Sequence, residues 1–264
     1  MTLPLFDSTT DPGPSFMGLL QALELEPREL TRPIGSEFAI THGTTVLAIR
    51  YADGVVMAGD RRATSGHLIS HRQMDKVFAA DRHSGVAIAG AAGPAIEMVR
   101  LFQLQLEHYE KVEGSSLSLD GKANQLGQML RNHLPAAMQG LAVVPVFAGY
   151  DLQLSEGRLF QYDITGGRYE EHDYTSTGSG SLHAGQVIKL GWRHDMSFDD
   201  AAALAISALE QAADSDSATG GPDPMRRIYP IVASISAGGF ERLDDADVES
   251  RFQAILQQRT QELR

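Results

Sequence analysis

Gly43-Thr44-Thr45-Val46-Leu47-Ala48-Ile49-Arg50, then a turn at Asp53-Gly54, then Val55-Val56-Met57-Ala58-Gly59: the fold is read outward from this stretch. The first run predicts an alternating strand from Thr45 to Arg50 and the second its hairpin partner, since Asp-Gly readily adopts the positive φ of a tight turn. Two further strands are expected at Lys76 to Ala80 and Val86 to Ala91, bridged by polar Asp81 to Ser84. Pro94 suits a helix start, and Ile96, Val99, Phe102, Leu106 and Tyr109 recur at helical spacing, predicting about four to five turns. A second helix is expected from Leu119 to Met138, with Pro135 giving an early end or a kink.

Strands resume at Val143 to Tyr150, Arg158 to Ile164 and His172 to Thr177, and helices follow at Ser181 to Leu190 and Phe198 to Asp214. The latter opens with Ser197 and Asp200 at capping-box spacing. Tyr229 to Ser236 and Gly239 to Leu243 read as a last hairpin, and Val248, Phe252, Ile255 and Leu256 give a terminal helix one apolar face. Grouped strands and grouped helices do not fit the strand-helix alternation of a doubly wound parallel sheet. The expectation is an α+β fold of two antiparallel sheets packed together, with helices outside each.

The leader, residues 1–43, is broken by Pro4, Pro12, Pro14, Pro27 and Pro33 and is expected to be a detachable segment that adds no core element. A short amphipathic helix from Phe16 to Leu25, capped by Ser15, is the one element expected in it. The chain of 264 residues is 42% hydrophobic and carries a formal charge of -12, which argues against a general grip on phosphate backbones, so nucleic acid is not an expected partner. With Cys 0 there are no disulfides or thiolate nucleophiles. No export signal or membrane-length apolar run is visible, and a cytoplasmic protein is expected.

A cut between Gly43 and Thr44 would leave Thr44 with a hydroxyl and a free α-amine. Such an amine titrates at about 7.7 to 8.0 and can act as a general base near neutrality. Threonine is also a good strand former, so Gly-Thr-Thr alone reads equally as a plain strand start. Lys76 could lower the proton affinity of that amine, and Asp60 could hold Lys76 charged. Gly90 offers an unhindered amide beside a helix start for a developing oxyanion. Ser179, Asp216 and Thr219 are small polar residues able to relay a proton or hold a water. Taken singly, each is an ordinary strand, turn or loop residue. His67 and His71 stand four apart without a helix signal, and no metal or cofactor is expected. Gly178 and Gly180 make no nucleotide fingerprint.

In this order and spacing, Gly43-Thr44-Thr45, Gly59-Asp60-Arg61-Arg62, Lys76, Gly90, Gly178-Ser179-Gly180-Ser181 and the Asp216 to Gly221 run resemble the β subunit of the proteasome, an N-terminal-nucleophile hydrolase. The resemblance runs from Thr44 to the last helix, and the leader with the long stretch Pro222 to Arg227 is similar to the actinobacterial branch. A shorter two-component bacterial protease shares the Thr-Thr start but lacks the Asp216 to Gly221 run. A non-catalytic ring subunit would keep the fold without the nucleophile, and the joint presence of Thr44, Asp60 and Lys76 argues against it.

The resemblance implies a four-layer αββα sandwich, with residues 1–43 a propeptide removed by self-cleavage and 44–264 the catalytic domain. It makes Thr44 the nucleophile of a threonine protease, Asp60 and Lys76 its supporting pair, and Gly90 the oxyanion donor. Ser179, Asp216 and Thr219 become the supporting cluster. Relatives often carry serine in place of Thr219. A pocket lined by Ala63, Thr64, Met74, Ile88, Ala92 and Ile96 implies cleavage after hydrophobic residues. Implied partners are proteasome α subunits, other copies in heptameric rings stacked α7β7β7α7, a ring ATPase acting through the α ring, and unfolded protein substrates.

Overall fold

A computed structural model describes residues 11–25 and 43–262. Of the leader residues singled out above, Pro4, Pro27 and Pro33 lie outside the described residues. In chain order the elements are α1 (Phe16–Ala22), β1 (Thr45–Tyr51), β2 (Gly54–Gly59), β3 (Ala63–Ser65), β4 (Leu68–His71), β5 (Val77–Asp81) and β6 (Ser84–Gly90). Next come α2 (Ala92–Glu113), α3 (Leu119–Ala137), β7 (Val143–Asp151), β8 (Glu156–Tyr162), β9 (Arg168–Glu171) and β10 (Tyr174–Gly178). The chain continues with α4 (Ser181–Gly191), α5 (Phe198–Ser215), β11 (Ile231–Ser236), β12 (Gly239–Arg242) and α6 (Asp245–Glu262).

Two five-stranded sheets form, ordered β10-β1-β2-β11-β12 and β5-β6-β7-β8-β9, and every pairing in them is antiparallel. Successive side chains of β1 leave opposite faces. Val46 and Ala48, with Val55 and Met57 of β2, meet Ala87, Val146 and Leu159 of the second sheet. Leu47, Ile49 and Val56 instead pack under α4, α5 and α6, against Ile188, Ala205, Leu209 and Phe252. The second sheet covers its outer face in the same way, with Phe147 and Phe160 beneath Phe102 of α2 and Leu126 of α3. This is the four-layer αββα sandwich expected. With both faces covered, β1 is buried at every residue but Arg50, rather than alternating between buried and exposed as a half-buried strand would.

The turn between β1 and β2 differs from the expectation by one residue. Tyr51 pairs with Gly54, so the loop is Ala52-Asp53. Gly54 is needed for close approach rather than for a positive φ: a Cβ there would stand 2.0 Å from the Ile235 carbonyl oxygen. Helix α2 is longer than expected, 22 residues or about six turns, until Gly114 caps it at φ 70°. Pro135 does not end α3 early, because it forfeits only one amide and the next turn closes through Met138 N to Leu134 O at 2.9 Å. Ser197 accepts from the Asp200 amide at 3.1 Å, which starts α5 as its spacing predicts.

Three short elements, β3, β4 and β9, carry no alternating apolar pattern, and the sequence reading does not predict them. Strand β9 is Arg-Tyr-Glu-Glu, a charged edge strand. The hairpin β3–β4 turns on Gly66 at φ 58°, and β4 is wholly exposed. The leader corrects a further expectation: α1, capped by Ser15, buries Leu19 and Leu20 against Leu104 of α2. No helix among the described residues is long and apolar enough to cross a membrane.

Phe147 is fully buried, its ring 6.0 Å from Phe102 and 5.9 Å from Phe160. Replacing it with alanine removes the packing between the second sheet and its helices, and an unfolding free energy lower by about 3 to 5 kcal/mol is expected in urea denaturation. A change below about 1 kcal/mol would show that the layer collapses around the cavity.

Candidate active site

Thr44 is the residue immediately before β1, in the interior of the first sheet, and is 5% exposed. The end of β10 closes tightly over it. Gly178 has φ 104°, and a Cβ there would lie 1.9 Å from the Thr44 carbonyl oxygen, so glycine alone allows the approach. The next residue then reaches Thr44 twice: Ser179 N donates to Thr44 O at 2.8 Å, and Thr44 N donates to Ser179 Oγ at 3.3 Å. Gly43 is equally confined, because a Cβ on it would fall 1.7 Å from the Ala218 Cβ, and its amide donates to Thr64 Oγ1 at 3.2 Å.

Asp60 follows β2 and is fully buried, yet its carboxylate is saturated with donors. Oδ1 accepts from Thr45 N at 2.9 Å and from Lys76 Nζ at 2.7 Å. Oδ2 accepts from Arg62 N at 2.8 Å and Gly220 N at 2.9 Å. Lys76, 2% exposed, also donates to the Arg62 carbonyl at 2.5 Å. Burial holds the Lys76 ammonium below its ordinary value, and the charge and hydrogen bond of Asp60 offset part of that effect.

A second carboxylate reaches Thr44 through Ser179. Asp216, just past α5, accepts from Ser179 Oγ at 2.5 Å and Thr219 Oγ1 at 2.6 Å through Oδ2, and from Ala218 N at 3.0 Å through Oδ1. Burial raises its proton affinity, but the Ser179, Thr219 and Ala218 donors together outweigh it, and Asp216 stays below the usual carboxylate range. The Thr219 proton is committed to Asp216, so in the 2.5 Å contact between Thr45 Oγ1 and Thr219 Oγ1 the donor is Thr45. Thr45 Oγ1 in turn accepts from Gly180 N at 3.0 Å. A Cβ on Gly180 would crowd both hydroxyls, at 2.5 and 2.7 Å.

Thr45 is therefore a site residue that sequence reasoning missed. It links the two carboxylates, with its amide on Asp60 and its hydroxyl chained to Asp216. Its strand propensity concealed that role; the available signal was a polar β-branched side chain opening a strand whose next four residues are apolar.

Gly90 ends β6 at φ 100°, where a Cβ would meet the Ala142 carbonyl oxygen at 2.2 Å. It lines one pocket together with Thr44, Lys76, Ala63, Met74, Ile88 and Ala92. Two residues expected in that lining stand outside it. Thr64 is held by the Gly43 amide, and Ile96, partly buried, packs against the core between α2 and the second sheet. Ala95, one turn after Ala92, lines the pocket instead. The structure thus gathers Thr44, Asp60, Lys76, Gly90, Ser179, Asp216 and Thr219 around the start of β1. His67 and His71 sit in and after the β3–β4 turn, and no cluster of potential metal ligands occurs among the described residues.

Comparison with known proteins gives the chain a family. A family described as "Proteasome subunit" matches residues 40–225. The proteasome subunit beta of Acidimicrobium ferrooxidans is 56% identical over 251 residues, covering 94% of this chain and 91% of that protein. Those of Jonesia denitrificans and Streptomyces griseus are 55% and 52% identical, over 84% and 94% of this chain and 73% and 89% of theirs. The motifs around Thr44 are thus set in a chain matched along most of its length, and the chain belongs to the proteasome subunit family.

Proposed function

We propose that the chain is the catalytic β subunit of a proteasome core particle, made as a precursor whose residues 1–43 are removed by its own Thr44. The observation that carries this reading is the placement of the Thr44 nitrogen. It lies 3.3 Å from Ser179 Oγ, which is itself bonded to Asp216, while the adjoining amide is fixed by the buried Asp60–Lys76 pair. After cleavage that nitrogen is an α-amine already held in position, and β-branching restricts the χ1 of the hydroxyl beside it.

In peptide hydrolysis the Thr44 hydroxyl adds to the scissile carbonyl and its proton passes to the amine. The Gly90 amide receives the oxyanion, a contribution of roughly 2.7 to 4 kcal/mol for such a donor. Collapse expels the product amine, which takes the proton, and leaves an ester on Thr44. Water, deprotonated by the same α-amine, then releases the acid and restores the hydroxyl. While Gly43 is bonded to Thr44 the nitrogen is an amide and cannot serve as base, so the precursor is a zymogen. The apolar lining from Ala63, Met74, Ile88 and Ala92 favours hydrophobic residues at the cleaved position.

Membership of the family carries assembly with α subunits. The finer arrangement belongs to this proposal: seven-membered rings stacked α7β7β7α7 in the cytoplasm, fed unfolded protein by a ring ATPase.

Thr44→Ala chains are expected to keep the full precursor mass, whereas the wild-type chain yields one starting at Thr44; efficient loss of residues 1–43 from the variant would exclude self-processing. Thr219→Ser preserves both hydrogen bonds and should leave turnover of a fluorogenic hydrophobic peptide within a fewfold of wild type. Thr219→Val strands the buried Thr45 hydroxyl and should slow turnover about ten- to a hundredfold, from an unpaired-group cost of about 1 to 3 kcal/mol.

The pH profile of kcat/KM should be a bell. Its acid limb is the α-amine, ordinarily about 7.7 to 8.0 and moved down by the Lys76 cation. Its basic limb is loss of the Lys76 proton, and burial places this below the ordinary lysine value of about 10.4. A profile still level above that value would remove Lys76 as the required cation.

A further inference from the structure

Helix α2 carries two apolar stripes. Ala95, Val99, Phe102 and Leu106 face the second sheet. Leu101, Leu104 and His108 follow one another at spacings of three and four on another face. At 3.6 residues per turn, Leu104 stands about 200° from both Phe102 and Leu106, turned away from the sheet. It is nevertheless only 2% exposed. Its apolar cluster is made with Leu19 and Leu20 of α1, flanked by Phe16, Leu23 and Leu101. The Phe16 ring lies 5.6 Å from the His108 imidazole, whose Nε2 is buried without a hydrogen-bond partner among the described residues.

The contact is small. A seven-residue helix does not hold its conformation alone in water, and the unpaired imidazole nitrogen counts against the docked state. Attachment through the chain raises the effective concentration of such a segment to the order of millimolar. A free peptide at micromolar concentration loses a factor of about a thousand.

We infer that α1 is a tethered cap on α2: it covers the stripe of Leu101, Leu104 and His108 while the leader is joined to the body at Gly43–Thr44, and severing the leader uncovers that stripe. Leu104 lies about 18 Å along the helix from Ala92 at the pocket lining, so a covalent event at Thr44 is registered on a separate surface. The inference rests on the reading that residues 1–43 are removed. That reading is judged by the mass of the wild-type chain, and this one by exposure of the stripe in a chain that cannot cut itself.

The chain has no cysteine, so Leu104→Cys in a Thr44→Ala background supplies a single thiol reporter. A recognition site for a sequence-specific protease, placed between Leu25 and Gly43, lets the tether be cut at will. At micromolar protein, maleimide labelling is expected to be slow in the intact chain and at least about tenfold faster after the cut. The intact chain that also carries Leu20→Asp should label as fast as the cut one. Leu101→Cys repeats the measurement if Leu104→Cys does not fold. Labelling as fast in the intact chain as in the cut one would show that α1 does not cover the stripe. Protection that survives the cut would show that the cap needs no tether. Either result overturns the inference.

Discussion

The buried Asp60 carboxylate is the constraint on which the rest of the site depends. A carboxylate removed from water must find its hydrogen bonds within the protein, and leaving such a charge without its partner costs about 3 to 5 kcal/mol. Asp60 collects four donors, from Thr45, Arg62, Lys76 and Gly220. Asp60 follows β2 of one sheet and Lys76 precedes β5 of the other, so the ion pair joins the two sheets at one end. The Gly220 amide brings in the loop after α5. Satisfying one charge therefore fixes the start of β1, the end of β2, the approach to β5 and the loop carrying Asp216 relative to one another.

Strand geometry divides the polar groups between two carboxylates. Successive amides in an extended chain point to opposite sides. The Thr45 amide turns to Asp60, while the Thr44 nitrogen turns to Ser179 and through it to Asp216. Thr45 then sends its hydroxyl back to Thr219 on the Asp216 side. The two threonines are not interchangeable: one lines the pocket, and the other joins the two networks. In the proposed mechanism the Lys76 cation is paired with Asp60 and the Asp216 anion with Ser179 and Thr219, so each can bias protonation of the Thr44 nitrogen without pairing directly with the other.

The sequence made the layers legible because their determinants are local. Apolar runs, helical spacing and the Ser197 cap each act within a few residues. The site was legible for a different reason: taken singly its residues are ordinary, and only their joint order and spacing, through the resemblance to the proteasome β subunit, sets them together. The structure supplies the physical cause at two of them, Lys76 by its pair with Asp60 and Gly178 by its approach to Thr44 O. What stayed hidden depends on partners distant in sequence. Strand β9 is polar and is a strand only because β8 offers an edge. Gly54 looked like turn chemistry, but β11 is what requires it. Leu104 lies off the apolar spacing that predicts α2, and its contacts come from α1 in the leader. Thr45 looked like a strand former until Thr219, far along the chain, supplied its hydroxyl partner.

The same packing bears on the junction itself. Gly43 passes so close to Ala218 that no side chain fits, and Gly178 closes equally tightly on the Thr44 carbonyl oxygen. The peptide bond between Gly43 and Thr44 is consequently held between two glycine-limited contacts, with its nitrogen on Ser179 and the Gly43 amide on Thr64. A bond gripped in this way has few conformations to lose on reaching an attacking geometry, and this is where proximity contributes to rate. Under the proposed reading the grip is also temporary. Once Gly43 leaves, its hydrogen bond to Thr64 and its contact with Ala218 are vacated beside the pocket that Thr44 lines. The restraints that present the first substrate, the chain's own leader, then leave room for the next.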